Sequence, residues 1–444
     1  MQQAIPRATA PKGRNNVLYH FQEPNHDILG YFTHLASQGD IVQMGILPAY
    51  VINHPDLIQD VFIRKAKSFD KQFQVKFSTD QIFGTQNTFS ADGDVWRVLR
   101  KAEQPAFHMQ RIQSYFDVML DRTALMIDGW SDGQDLNFTQ LMLELTLRIT
   151  AMTLFGKDIT NDRAGEAIIK VLDIFTDRIT NPIPIPIWIP IQSNREMKSE
   201  MDILNSLLQP IIEARKASGE DTGDILSMLL NAQKHDTSGV LTDAQIQSEV
   251  YMLFAAGYEV TANTTAFTLY LICQHPDVYQ KLQAEIDTAL SDANPTLEAL
   301  NQMSYLEQVI KESMRLMPIT AIIGRQANED VEIGGYSIAR NVQVFAAPWT
   351  LHRCETYFPD PETFDPDRFS SEREKDIPKN AYIPFSTGPR ICLGNAFAML
   401  QMKTTLSKML YSFHFEIPAD YSFEPYWRFN TRLKHDLQVI VNRR

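Results

Sequence analysis

Phe385-Ser-Thr-Gly-Pro-Arg-Ile-Cys-Leu-Gly394 decides how the rest of this chain is read. Two glycines and a proline precede an apolar helical run (Ala396, Phe397, Met399, Leu400), which places Cys392 at a helix N-terminus. Unpaired backbone N–H groups and the helix dipole favour a thiolate there, and a thiolate is a soft metal ligand. Gly388 permits a tight turn and Gly394 lets a flat ligand approach the backbone, while Phe385 can shield the sulfur and Arg390 can pair with an anion.

Working outward from this loop, Trp96 and Arg100 share a helical face by i, i+4 geometry, so an indole and a guanidinium point the same way. Thr242 and Gln245 form a capping box opening a helix that runs through Ala256-Gly257-Tyr258-Glu259-Val260-Thr261. Residues 250–273 are apolar enough to suggest a membrane span, but Glu259, Asn263 and four threonines point to a buried central helix instead. Glu312 and Arg315 are spaced to pair on another helix, and Arg368 sits in a proline-punctuated coil. Residues 69–94 show no sustained period and read as a long functional loop. Four prolines alternating with isoleucines from Asn181 to Gln192 forbid a helix and favour extended structure between the flanking helices. Strand signals appear at 41–44, 50–53, 319–323, 331–338 and 342–345, with Gly334-Gly335 as a hairpin turn. A last hairpin over 427–441 brings Phe429 or Asn430 to a pocket.

Composition narrows the class. The chain has 444 residues, three scattered cysteines and a formal net charge of −13, which argues for a reducing compartment and against nucleic acid or anionic membrane as the main partner. Residues 1–16 form a polar tail with no signal or anchor pattern, so the expected location is the cytoplasm.

The spacing Phe-x-x-Gly-x-Arg-x-Cys-x-Gly resembles the haem-binding loop of the cytochromes P-450, the haem-thiolate monooxygenases. Four ordered motifs between Trp96 and Gly394 carry the likeness. It implies a single mainly α domain over residues 1–444, with a helix-rich lobe and a smaller sheet-containing lobe near the N-terminus. It also implies haem b with Cys392 as axial iron ligand, and a soluble, bacterial-type, monomeric enzyme. Haem contacts are expected from Trp96, Arg100, Ala256, Gly257, Arg325, Phe385, Arg390 and Gly394. Glu259 and Thr261 would relay protons to dioxygen, although Val260 stands where the family usually has threonine. The pocket would be lined by Gln86, Asn87, Phe89, Val260, Ile319, Ile322, Ile323 and Phe429. Glu312, Arg315 and Arg368 would form a buried ion network. The isoleucine-proline stretch matches the family's loop at the mouth of the substrate channel.

The implied reaction is hydroxylation of an apolar molecule such as a fatty acid, terpenoid or steroid. Electrons would come from a separate ferredoxin or flavodoxin-type donor docking near Arg97 and Lys101. Two alternatives stay open: peroxide-driven, isomerising or dehydrating chemistry on the same haem, and a non-enzymatic haem-thiolate sensor or ligand carrier.

Overall fold

The computed structural model describes residues 27–45, 47–159, 162–181 and 183–444. The polar N-terminal tail therefore lies outside the described residues. The architecture is mainly helical, and two features position the site: a central helix and a small mixed sheet.

The helices that matter, in chain order, are α1 (Phe73–Phe83), α2 (Gly93–Glu103), α3 (Phe138–Phe155), α4 (Asp162–Thr180), α5 (Gln192–Ser218), α6 (Asp243–Gln274), α7 (Ser304–Leu316) and α8 (Asn395–Ser412). The sheet has the order β1-β2-β5-β4-β3, from β1 (Ile41–Gln43), β2 (Ala49–Ile52), β3 (Phe69–Asp70), β4 (Ile323–Ala327) and β5 (Gln343–Ala346). Only β2 and β5 run parallel. The sheet lobe is thus built from residues 41–70 and 323–346, and not from the N-terminal part alone. Its apolar residues Ile52 and Val344 pack with Ile333 of a neighbouring ribbon and Leu351 of a short helix into a core of their own beside the larger helical core.

The 32 residues of α6 make a rod about 48 Å long. Thr242 caps it by accepting from the Gln245 N–H at 3.2 Å. The Gln245 side chain does not return the bond. It donates to the Gln86 carbonyl and to Glu249 Oε1, so the box is half formed and the spare amide ties in a loop. α6 crosses α3 closely at Gly257, where a Cβ would stand 2.9 Å from Thr150, whose hydroxyl donates to the Gly257 carbonyl at 3.0 Å. Gly257 therefore serves close helix packing as well as the cavity it borders. No helix among the described residues is long and apolar enough to cross a membrane.

Three stretches differ from their sequence reading. Residues 73–83 are a helix closed by Gly84 in the left-handed conformation (φ 78°), not loop. Its buried face includes Ser78 and Thr79, so apolar periodicity is weak there. Helical periodicity from Asp117 to Phe155 reads as continuous helix, but the run is cut by a turn at Gly129 and Gly133 and a strand at Gln134–Asn137. Strand β4 begins only at Ile323, leaving 319–322 as irregular backbone. The Gly334-Gly335 hairpin forms as expected with φ values of 53° and 83°, but as a separate two-stranded ribbon.

Behind the cysteine loop lies a buried ion cluster. Arg315 is fully buried and every one of its donors is used: Nε and Nη2 on the Glu312 carboxylate at 2.7 and 2.9 Å, and the rest on the carbonyls of His352, Pro361 and Thr363. Arg368 Nε joins Glu312 Oε1 at 3.3 Å. Removing the shared carboxylate leaves two buried guanidinium groups without a counter-charge, so Glu312→Ala should cost about 3 to 5 kcal/mol. Denaturant unfolding checks this; a loss under about 1 kcal/mol would be what a solvent-screened pair gives.

Candidate active site

Cys392 is delivered by a loop whose geometry is over-determined. Its N–H donates to the Phe385 carbonyl at 3.0 Å, and Ile391 N–H to the Gly388 carbonyl at 3.1 Å. Gly388 has φ 76°, and a Cβ there would fall 2.0 Å from the Phe62 carbonyl oxygen, so only glycine fits. Helix α8 starts at Asn395, three residues later than Cys392, with Gly394 as its cap. The sulfur is therefore just outside the first turn. Cys392 is exposed to the cavity and otherwise surrounded by protein, and this desolvation pushes the thiol up from its ordinary value, against the pull of the Gly394 N–H and the Arg100 charge. At Gly394 an added Cβ would meet nothing closer than 3.9 Å, so the backbone leaves open space beside the sulfur.

That space belongs to a cavity of about 680 Å³ between α6, α2, the cysteine loop and the sheet lobe. Cys392, Gly394, Phe385, Arg390, Trp96, Arg100, Arg325, Ala256 and Gly257 all border it. A second concavity of about 670 Å³, on the outside near Cys273 and His414, has several polar groups committed, for example Tyr279 Oη, which accepts from the Phe415 N–H. It lies away from these residues and offers no comparable chemistry.

The electrostatics of the first cavity are unbalanced. Arg325 is 5% exposed and among the described residues donates only to its neighbour's carbonyl, Gly324 O, at 2.8 Å. Burial, reinforced by Arg390, pushes its guanidinium down to about 9. Lys71 borders the same space, its ammonium 4.1 Å from the Phe89 ring centroid, and burial with Arg325 and Arg390 holds it well below its ordinary range. Arg390 stacks on Trp96 (4.6 Å) and bonds Asp92 Oδ1 at 2.6 Å, but its Nη1 is buried without a partner. Asp92 is further committed to Lys76 at 2.5 Å. Buried cations with one shared carboxylate demand an anion, and two carboxylates beside a thiolate-ligated metal would meet the demand. Haem b is a flat molecule with two carboxylates and an iron open to sulfur, and these residues fit it.

The family model described as "Cytochrome P450" matches residues 12–433. The chain belongs to the cytochrome P450 family. Among relatives, "Cyclooctat-9-en-7-ol 5-monooxygenase" of Streptomyces melanosporofaciens is 33% identical over 84% of this chain and 82% of that protein. "Cyclooctatin synthase" of the same organism is 32% identical over 85% and 83%. "Cytochrome P450 3A9" of Rattus norvegicus is 28% identical over 84% and 78%. In fold, the chain superposes on the crystal structure of the cytochrome P450DA heme domain with a TM-score of 0.88 at 25% identity, covering 100% of this chain and 98% of that one. This P450 is thus an oxidoreductase of the monooxygenase class that uses haem b.

On this P450 the structure brings most sequence-expected residues to the cavity and sends three elsewhere. Phe89, Val260, Ile319, Ile322, Ile323 and Phe429 line it, as does Thr261. Gln86 and Asn87 do not. Asn87 is fully buried with its amide on Ser248 at 3.4 Å, and Gln86 offers its carbonyl to Gln245, so both pin the 84–92 loop to the first turns of α6. Thr88, next in line, points its N–H at the Glu249 carboxylate. Glu259, expected as a proton relay, also turns away. Its carboxylate is held by the Arg432 guanidinium, by Asn430 Nδ2 at 2.8 Å and loosely by Asn263 Nδ2, and it does not border the cavity. Arg100, besides facing the cavity, donates to the Ile391 carbonyl at 2.8 Å and so braces the cysteine loop.

Two features were invisible in sequence. Lys71 carries no spacing signal; β3 pairs with β4 (Asp70↔Gln326), which sets it beside Arg325. Glu103 and Glu249 meet as a buried carboxyl pair, and burial followed by the Glu249 charge pushes Glu103 well up. Lys71→Met should keep the red-shifted carbon monoxide band of the reduced protein, because Cys392 is untouched. It should release haem to apomyoglobin several-fold faster than the parent; an unchanged transfer rate would remove Lys71 from the haem-carboxylate site.

Proposed function

We propose that this P450 hydroxylates a compact, mostly hydrocarbon molecule of terpenoid kind, with electrons supplied by a separate ferredoxin or flavodoxin-type protein. The observation that carries the substrate reading is the apolar part of the cavity wall. It is built from Val260, Leu253, Ile319, Ile322 and an aromatic cluster in which Phe429 meets Phe89 at 5.8 Å and Phe175 at 5.5 Å. Burial of apolar surface against such walls gives affinity without dictating one orientation. The Streptomyces relative whose name gives a cyclic alkenol as its substrate supports the same size and polarity. The cavity wall continues outward to Ile179, Thr180 and Asn181, where the isoleucine-proline stretch begins, with Ile183 and Trp188 exposed beside it. Two backbone ties, Arg178 to the Ile185 carbonyl and the Ile187 N–H to Gln81, hold that stretch against α1 and α4. This is the entry route we assign.

Cys392, with Arg325, Arg390, Trp96, Arg100 and Lys71, would hold the haem; when bound, the haem supplies dioxygen activation and oxygen insertion. The chain's own part is to exclude water, orient substrate and hold protons. Val260 brings no hydroxyl, but Thr261 does. Its neighbours Thr264, Thr265 and Thr268 bond back to the preceding turn, each at 2.8 Å. Thr261 Oγ1 makes no such bond among the described residues and is not sealed by protein atoms, which leaves it free to hold a proton or an ordered water at the cavity edge.

Reconstitution with a ferredoxin and its reductase on a panel of cyclic terpenes tests the reading. Hydroxylated product should form with the reductase chain and not with peroxide alone. Product under peroxide only would favour the peroxide-driven alternative. In the same assay Thr261→Ala should yield severalfold less product per dioxygen consumed, whereas an unchanged ratio would leave the proton with water alone. On the outer face of α2, Arg97 pairs with Asp94 while Lys101 is exposed. Lys101→Glu should raise the donor concentration needed for half-maximal turnover by roughly two- to fivefold at low salt, an effect that salt erases.

A further inference from the structure

The turn between β6 (Pro425–Trp427) and β7 (Thr431–Leu433) brings Phe429 and Asn430 to the cavity. It is held tightly. Arg428 N–H donates to the Asn430 carbonyl at 3.0 Å, and Thr431 ties to the pocket segment through Ile319 O (2.8 Å) and Pro318 O (2.9 Å). Asn430 is 4% exposed, so any space its side chain meets is internal.

A side-chain amide presents a donor on one side and an acceptor on the other, and here a carboxylate decides which faces where. Glu259, paired with Arg432, can only accept. The amide nitrogen must therefore face it, at 2.8 Å from Oε2. Glu259 is not on the cavity wall, so the nitrogen is turned out of the cavity. Asn430 Oδ1 receives no hydrogen bond among the described residues, yet it is not enclosed by protein atoms. It is an open acceptor whose direction a buried ion pair fixes. Arg432 is in turn anchored to Asp173 on α4 at 2.6 Å, so α4, α6 and β7 together hold the one amide.

We propose that Asn430 Oδ1 binds one hydroxyl group of an otherwise hydrocarbon substrate, and that Glu259 is the positioning residue that keeps the oxygen turned inward. The inference rests on the terpenoid reading above and adds a required functional group to it. The acceptor sits beside Phe429 in an apolar wall, where a ligand that cannot donate leaves it unpaired, and such a site rejects the deoxy analogue more strongly than a greasy wall rejects an extra methyl. An ammonium is disfavoured as the donor, because the carboxylate bonded to this amide, Glu259, is already paired with Arg432. The assignment also gives Glu259 a role that does not require it to reach the iron side of the cavity.

Titration of the haem-loaded protein with cedrane, cedrol and cedryl methyl ether, followed by the shift of the haem absorption band, separates the cases. The three share one hydrocarbon skeleton, and only cedrol donates. The parent should bind cedrol about five- to tenfold tighter than either of the others, the worth of one neutral hydrogen bond. Asn430→Ala should bring the three dissociation constants together. Glu259→Gln, with Asn430 intact, should shrink the preference as well, since a glutamine can donate to Oδ1 and release the amide to rotate. Equal binding of the three by the parent, or a cedrol preference that survives Asn430→Ala, overturns the proposal; the former is what an ordered water alone on Oδ1 would give. If none of the three shifts the band, the terpenoid reading itself fails and the hydroxyl site falls with it. Should Glu259→Gln not load haem, Asn430→Ala decides alone.

Discussion

Buried positive charge without enough protein counter-charge is the constraint around which this molecule is arranged. Arg325, Lys71 and Arg390 converge from β4, from the end of β3 and from the cysteine loop on one space, with Asp92 as the carboxylate they share. Bringing these cations together without an anionic ligand is costly, which is why burial and mutual repulsion depress Arg325 and Lys71 so far. These residues would hold the two carboxylates of a haem, and that cost would then fall, linking cofactor binding to the stability of the sheet lobe against α2. The same logic explains the Glu312–Arg315–Arg368 cluster by contrast. There the charges are matched within the protein, every Arg315 donor is used, and the result is a fixed scaffold behind the loop, not a binding site.

The side facing Cys392 follows a different principle. α6 carries buried polar groups along most of its length, yet nearly all are consumed locally: Gln245 and Glu249 on the 84–92 loop, Gly257 O on Thr150, and the threonines on their own preceding turns. Thr261 Oγ1 on the helix and Asn430 Oδ1 on the hairpin make no hydrogen bond among the described residues and border the cavity. Set in an aromatic and aliphatic wall, such atoms give this part of the pocket direction without giving it much polarity.

The fold and the cofactor side were legible because they rest on local, short-range rules. Gly388 is demanded by a left-handed turn pressed on Phe62 O, Trp96 and Arg100 by helical phase, and Glu312 with Arg315 by i, i+3 spacing, so each leaves a mark within ten residues. Lys71 and Glu103 acquire their settings from strand pairing and helix crossing between segments more than a hundred residues apart, and nothing in their own neighbourhood announces it. The hairpin over 427–441 places Asn430 at a pocket, but does not announce its bond to Glu259. Helix α1 escaped for a related reason: its buried face holds Ser78 and Thr79, so the apolar period that marks a helix is diluted.

Glu259 shows where motif and geometry part company. The resemblance supplied an acid at the right place in the sequence, and the helix does present it two residues after Gly257. A side chain two positions on points about 200° round the helix, however, so a residue following a cavity-facing glycine by two faces largely away. Arg432 and Asn430 wait on that far side, and once the carboxylate is caught between them its freedom to swing inward is lost. The alcohol displaced from position 260 to 261 and the acid immobilised at 259 are then one rearrangement. On the reading proposed above, the hydroxyl left at the cavity is that of Thr261, and the acid sets the orientation of Asn430.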